Sequence, residues 1–125
     1  MIRILLDADC AIYATTGQMP ALRERLAECE PDEVGLSAIS YAEILLGMEN
    51  GKPPTIEALA VLVEVVPVQP FDAAAAWRYA RLPFKRARFD RLLAAHALSI
   101  GATVVTNNEG DFADVPGLKV ENWTV

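Results

Sequence analysis

Short apolar runs alternate along this chain with longer segments whose apolar residues recur at helical spacing. Strands are predicted at 2–6, 33–36, 65–68 and 103–106, with 118–121 as a short final candidate. Helices are predicted over 8 to about 15, 21–29, 37 or 40 to 50, 56–64, 73–81 and 90–100. Strands that are separated by helices require crossover connections, which pair them in parallel. The pattern therefore predicts an α/β fold, with a short parallel sheet of four to five strands and helices on both faces.

Length and composition favour one compact unit over residues 1–125. A hydrophobic fraction of 53% argues against disorder. No apolar run approaches the roughly 20 residues that a membrane-spanning helix needs, and no signal peptide is apparent at the start of the chain. Cys10 and Cys29 lack metal-binding or redox spacing and are expected to be reduced. We therefore expect a cytoplasmic protein.

Four acidic residues stand where predicted strands and helices begin or end. Asp7 follows the first strand, and Glu43 lies near the start of the third helix. Asp90 opens the last helix, and Asp111 follows the strand at 103–106 by a short polar loop. In open parallel sheets, binding sites form beyond the carboxyl ends of the strands. We therefore expect the four carboxylates to meet at that edge of the sheet.

Four carboxylates in one place repel each other unless cations bind between them. Hard oxygen ligands of this kind, with no cysteine or histidine partner nearby, suit Mg²⁺ or Mn²⁺. The acidic set therefore predicts a metal site for phosphodiester chemistry.

Structural explanations compete for these acids. Asp7 is a good helix N-cap, and Asp111 sits among turn residues. Ser40-x-x-Glu43 matches a capping box, in which the glutamate reaches back to the amide of Ser40. Asp90 is harder to explain in this way, because its helical neighbours form an apolar face. The helix dipole would stabilise its carboxylate by only about 0.3–1 kcal/mol, which does not offset the burial of an unpaired charge.

The charge distribution adds a second feature. The net charge is −6, yet six of the 11 lysines and arginines fall between positions 78 and 91, where Asp90 is the only acid. A basic segment beside an acidic metal site suits an enzyme that acts on a phosphate backbone. Solvated charges on a helix and a loop explain the same run equally well.

Five segments carry a resemblance to a known family. They read LLDAD at 5–9, SAISYAEILLG at 37–47, DRLLAAHAL at 90–98, GATVVTNN at 101–108, and Asp111-Phe112 followed by VPGLKVENW at 115–123. Together they resemble the PIN-domain nucleases, and within them the VapC-type ribonuclease toxins of toxin–antitoxin pairs. The family often has Asn at the position of Asp9, so this chain carries either a fifth acid of the site or an acceptor beside it.

The resemblance implies a three-layer α/β/α domain that hydrolyses tRNA or other structured RNA with Mg²⁺ or Mn²⁺. Asp7 and Asp90 would bind the principal metal, and Glu43 and Asp111 would complete its surroundings. Asp9, Ser40, Thr106 and Asn107 are the expected supporting residues, and Arg88 and Arg91 the expected contacts to the RNA backbone. The resemblance also implies a homodimer, a cognate antitoxin whose tail covers the active site, and larger assemblies with that antitoxin. We expect a basic side chain of the tail to occupy the carboxylate cluster.

Two other functions remain open on the sequence alone. A phosphotransferase of the haloacid-dehalogenase type would use Asp7 as nucleophile and Asp9 as proton donor, but it leaves Glu43 and Asp90 without a role. A nuclease-like domain that binds RNA or protein without cleaving would not need to bring the four acids together.

Overall fold

The computed structural model describes residues 1–83 and 88–125, without the side chain of Arg88. The described strands are β1 (Ile4–Leu6), β2 (Val34–Ser37), β3 (Val68–Gln69), β4 (Thr103–Val105) and β5 (Lys119–Glu121). The helices are α1 (Ala8–Thr16), α2 (Pro20–Ala27), α3 (Ala38–Glu49), α4 (Ile56–Val65), α5 (Ala73–Ala80) and α6 (Arg88–Ile100), and a 3-10 turn covers Glu109–Asp111. The predicted order of strands and helices is confirmed. None of the described helices is long and apolar enough to cross a bilayer.

The five strands form one parallel sheet in the order β3-β2-β1-β4-β5. The chain builds outward from β1 to one side and then returns to pair β4 with its other side, so β1 and β4 flank the switch point where ligands bind in such sheets. The third strand is shorter than expected from 65–68, because α4 continues to Val65 and Val66 ends it. Its predicted position at an edge, beside Pro67, is confirmed.

Alternating residues of β1 face two separate apolar clusters. Ile4 and Leu6 pack with residues from α1, α2, α3 and α4, whereas Leu5 packs with residues from α6 and β4. Successive side chains of a strand point to opposite faces of a sheet. The sheet is therefore covered on both faces, which confirms the three-layer arrangement.

Helix α6 presents the apolar face that was expected to follow Asp90. Leu93, Ala94 and Ala97 are buried against Leu5 and the neighbouring strand β4. Two of these three side chains are alanines, so the helix can lie close to the sheet. The first turn of α6, with Asp90, therefore begins at the carboxyl edge of the strands.

Ser37, and not Ser40, begins α3. The Ser37 hydroxyl accepts a hydrogen bond from the Ile39 amide. Ser40 lies inside the helix, and its hydroxyl donates to the carbonyl of Leu6, 3.2 Å away. The predicted capping box of Ser40 and Glu43 is wrong, because a contact with the end of β1 uses the Ser40 hydroxyl. Ser40 instead fastens α3 to the strand that precedes Asp7.

A buried hydrogen bond joins α3 to α6. Ser37 Oγ and His96 Nδ1 are 2.7 Å apart, and both residues are almost fully buried. Burial lowers the pKa of His96, with the charge of Asp72 opposing the shift. The imidazole is therefore neutral near pH 7 and serves as a hydrogen-bonding residue of the core.

We expect Ser37→Ala to lower the free energy of unfolding by about 2–3 kcal/mol, because it removes a helix cap and leaves His96 Nδ1 buried without its partner. Thr55→Ala is the matched control. Thr55 caps α4 through the Ala58 amide at an exposed position, and its loss should cost about 1 kcal/mol. Urea denaturation measures both values. Equal losses in the two variants would show that the bond to His96 contributes little.

Candidate active site

A small polar cavity of about 160 Å³ lies beyond the carboxyl ends of β1 and β4. It is lined by Asp7, Ala8, Asp9, Glu43, Asp90, Leu93, Thr106, Asn108, Asp111 and Phe112. All four acids that the sequence singled out are among these residues, and Asp9 is a fifth. The volume is sufficient for several water molecules. Residues from four separate parts of the chain therefore converge at the switch point of the sheet.

Asp7 serves both the fold and the cavity. Its backbone amide donates to the carbonyl of Val105, and its Oδ1 accepts from the Cys10 amide at 2.8 Å as the N-cap of α1. Burial raises the pKa of the Asp7 carboxyl, while a hydrogen bond with the Thr106 hydroxyl opposes the rise. Asp7 can therefore have both roles, because one of its oxygens caps the helix and the residue also lines the cavity.

Glu43 has no capping role, and its carboxylate lines the cavity. It lies one turn into α3, on the side that faces Asp90, Asp9 and Asp7. Removal from bulk water, together with the negative charges of those three carboxylates, raises the pKa of Glu43 to about 7. The failure of the capping box therefore removes the main structural explanation for this acid.

Asp90 and Asp111 face each other across the cavity from α6 and from the 3-10 turn. Removal from bulk water raises the pKa of Asp90 to about 6, and Asp111 is the charge that contributes most to this shift. Asp7 and Asp9 act in the same direction, and Arg91 opposes them. The raised pKa of Asp90 therefore reflects burial first and the neighbouring carboxylates second.

The expected supporting residues separate into two groups. Thr106 is fully buried in the cavity wall, and its hydroxyl accepts from the Asn108 amide at 3.0 Å. Asn107 points elsewhere, because its side-chain amide donates to the Tyr13 hydroxyl. Asn108, which sequence reasoning passed over, lines the cavity instead. The run of two asparagines carried no signal to distinguish them.

The predicted RNA contacts are only partly described. Arg91 is 5% exposed, and its Nη2 donates to both carboxylate oxygens of Asp114, at 2.7 and 2.8 Å. A buried guanidinium held in this way is not presented to a phosphate backbone, so the prediction for Arg91 is corrected. The side chain of Arg88 and the basic residues Lys85 and Arg86 lie outside the described part of the chain. Exposed Arg78 and Arg81 belong to the same basic segment.

The chemistry of the cavity fits a divalent cation. Five carboxylates and a hydroxyl are hard oxygen ligands of the kind that Mg²⁺ and Mn²⁺ prefer, and burial and mutual repulsion raise the pKa values of Glu43 and Asp90 among them. Within residues 1–83 and 88–125, no three acidic side chains form a ready-made metal-binding group. The acids instead share the lining of one cavity. The cavity therefore suits a divalent cation by the chemical type of its ligands.

A family model for the PIN domain matches residues 4–118. This chain belongs to the PIN-domain family. The match includes strands β1 to β4 and every acid of the cavity, and it ends just before β5. This family match gives no support to the phosphotransferase of the haloacid-dehalogenase type, which the pair Asp7 and Asp9 also resembled.

Relatives of this PIN domain extend over its full length. The tRNA(fMet)-specific endonuclease VapC of Shigella flexneri is 29% identical over 133 residues, which cover 99% of this chain and 100% of that protein. Ribonuclease VapC1 of Haemophilus influenzae strain R2866 is 28% identical over 130 residues, which cover 96% and 97% of the two chains. The expected resemblance to the VapC branch is thus confirmed.

Solved structures show the same fold. VapBC2 from Rickettsia felis, bound to a DNA fragment from its promoter, superimposes with a TM-score of 0.84 at 25% identity and covers 98% of this chain and 99% of that one. DNA-bound VapBC from Salmonella typhimurium gives a TM-score of 0.80 at 26% identity, with the same coverage. The PIN domain of this chain therefore has the same fold as one chain of each of these structures.

The raised pKa values predict how the metal-free PIN domain responds to pH. The ordinary pKa values of Asp90 and Glu43 are 3.8 and 4.5, whereas the folded values are about 6 and about 7. The folded chain therefore holds more protons between these limits. The stabilisation that the protonated carboxyls of Asp90 and Glu43 contribute is fully present below their ordinary pKa values. It is lost as the pH rises through their pKa values in the folded chain.

We expect Asp90→Asn to raise the Tm of the metal-free protein by a few degrees at about pH 8, equivalent to about 1 kcal/mol, because it removes a repelling charge. The gain should shrink at about pH 5, where the wild-type carboxyl is largely protonated. Thermal denaturation in chelator measures both. Glu24→Gln, which removes an exposed acid outside the cavity, is the control. A gain that does not change with pH would contradict the electrostatic explanation.

Proposed function

We propose that this chain is a metal-dependent endoribonuclease of the VapC type, the toxin of a toxin–antitoxin pair. The observation that carries the proposal is the convergence of Asp7, Glu43, Asp90 and Asp111 on one cavity of a PIN domain. The names of its full-length relatives, ribonuclease and endonuclease VapC, agree with this chemistry. Structured RNA such as tRNA is the proposed substrate class.

The carboxylates divide the work of the reaction by their surroundings. Asp7 and Asp90 would hold the cation, with Glu43 and Asp111 beside them. Bound Mg²⁺ or Mn²⁺ would supply a water of lowered pKa and stabilise the charge that builds up on the phosphate. Thr106 keeps its hydroxyl beside Asp7 and so orients that carboxylate. The mechanism requires no side-chain nucleophile.

The phosphotransferase alternative loses support in this geometry. Glu43 and Asp90, which have no role in it, share the cavity with Asp7. No lysine is among the described residues that line the cavity, although that chemistry needs one near its nucleophile. A domain that binds RNA without cleaving it is separated from a nuclease by the cleavage assay below.

Partners follow from the same proposal. Similar structures are complexes named VapBC, from Rickettsia felis and Salmonella typhimurium, so we propose a cognate antitoxin that covers this cavity. The homodimer and the cytoplasmic location remain predictions. Light scattering of the purified chain tests the first.

The decisive experiment is cleavage of total cellular RNA and of purified tRNA, with Mg²⁺, with Mn²⁺ and with chelator. Asp7→Asn and Asp90→Asn should each lower the rate by at least about 100-fold, because each removes a ligand charge from the metal site. Glu24→Gln, outside the cavity, should cleave like the wild type. Discrete metal-dependent products that disappear in both variants would establish the nuclease.

Two other results would overturn the proposal. Cleavage that persists in both variants would come from a contaminating enzyme. No cleavage with either metal, from protein shown to be free of a bound inhibitor, would favour the binding domain.

A basic side chain of the antitoxin tail should occupy the carboxylate cluster, because the cavity offers it five acids and no charge of its own sign among the described lining residues. Replacing the arginines and lysines of that tail with glutamine should weaken inhibition of cleavage by about tenfold or more per residue that enters the cavity. Replacing the tail's acidic residues is the matched control. Full inhibition by a tail without basic residues would exclude this contact.

A further inference from the structure

A partly buried ion pair joins two segments that each carry an acid of the cavity. Arg91 follows Asp90 in the first turn of α6, and Asp114 lies three residues beyond Asp111. Arg91 Nη2 lies 2.7 Å from Asp114 Oδ1 and 2.8 Å from Oδ2. Neither Arg91 nor Asp114 lines the cavity, so the pair acts on the site through its neighbours.

The surroundings of the pair suggest a role other than stability. Arg91 is 5% exposed, and its Nε and Nη1 are buried without a hydrogen-bond partner in the described part of the chain. Burying a guanidinium that is hydrogen-bonded on one side only is costly. The Asp114 side chain at the other end of the pair is 44% exposed, so solvent screens the attraction between the two charges. The fold therefore gains little stability from this pair in comparison with an apolar contact.

The pair does oppose a specific force. Asp111 is the charge that acts most strongly on Asp90, and the two carboxylates repel each other. The 3-10 turn with Asp111 is closed by hydrogen bonds from the amides of Asp111 and Phe112 to the carbonyls of Asn108 and Glu109, at 3.0 and 3.1 Å. The side chain of Asn122 also donates to Glu109, but it comes from the residue after β5 and not from α6. The buried side chains of Phe112 and Val115 and the Arg91–Asp114 ion pair fasten this segment to α6.

We propose that the Arg91–Asp114 ion pair is a positioning element, which fastens the segment of Asp111 to the first turn of α6 and so keeps Asp90 and Asp111 together in the cavity, where both can bind one divalent cation. This inference rests on the metal-dependent function proposed above. Arg91 and Asp114 are positioning residues, because neither contacts the cation or the substrate.

Three variants and one control test the proposal. Asp114→Asn and Arg91→Met each break the pair. The double variant R91M/D114N removes both charges, leaves the net charge unchanged and leaves no buried charge unpaired, so it should fold with a Tm near that of the wild type. Arg3→Met is the control, because Arg3 pairs with Glu33 at the opposite, amino end of the same sheet.

The first measurement is the dissociation constant for Mn²⁺, by titration calorimetry of the folded proteins. All three variants should bind Mn²⁺ about 10- to 100-fold more weakly than the wild type, as is usual when residues that orient metal ligands are lost. The double variant should bind Mn²⁺ no more weakly than the weaker-binding single variant, because both substitutions remove the same contact. Arg3→Met should bind like the wild type.

The second measurement needs no metal. Hydrogen exchange in chelator should be at least about tenfold faster at the amides of Asp111 and Phe112 in all three variants, because the turn is no longer fastened to α6. A double variant that is stable and binds Mn²⁺ like the wild type would overturn the proposal. Weaker binding without faster exchange would overturn it too, because the effect would then be electrostatic.

The two proposals fail in different ways. If the wild type neither binds Mn²⁺ nor cleaves RNA, the metal-dependent function is wrong, whatever the exchange rates are. If the wild type binds Mn²⁺ and exchange at Asp111 and Phe112 is unchanged in the variants, only the positioning role is wrong.

Discussion

The repulsion among the carboxylates of one small cavity is the constraint on which the rest of this structure depends. Their charges come from the end of β1, from α3, from the first turn of α6 and from the turn after β4, and each element must be held there against that force. Ser40 fastens α3 to the carbonyl of Leu6, and Ser37 fastens the start of the same helix to His96 of α6. These contacts are polar, buried and short, and they join elements that the sheet alone does not connect. The hydrophobic core stabilises the fold, but directional bonds of this kind determine where the acids lie.

The site could be predicted from the sequence where local pattern and tertiary contact agree. Asp7 follows an apolar strand, and a parallel sheet places such a residue at the edge where sites form. Asp90 precedes a helical face that is buried, so its position at the start of α6 was already determined by periodicity. The order of the strands and helices followed from the same alternation of apolar and polar residues. The ends of the strands were predicted less well than their order. Helix α4 extends to Val65, so the strand expected at 65–68 is reduced to Val68–Gln69.

The predictions that failed depended on partners distant in sequence. Ser40-x-x-Glu43 is a sound local signal for a capping box, but the Ser40 hydroxyl bonds to Leu6, 34 positions earlier. Arg91 belongs to a basic run that suggested a surface for RNA, yet it is buried against Asp114, 23 positions later. In both cases the residue type was informative and the partner was not visible in the local pattern. A helix start or a charge run therefore predicts an element better than it predicts what a particular side chain contacts.

The acids without a structural role are the ones that argue for function. Asp7 caps a helix, and a fold selected only for stability has reason to keep it. Glu43 and Asp90 are different, because no hydrogen bond lowers the pKa of either, and the charges of the other acids raise both. Replacing them with neutral residues of similar size would relieve repulsion at no structural loss among the described contacts. Strained electrostatics of this kind are characteristic of functional sites. This chain places both residues in one cavity and holds their helices together with buried hydrogen bonds. Such an arrangement suits a ligand that compensates the charge of the two acids. A divalent cation is the ligand whose chemistry fits.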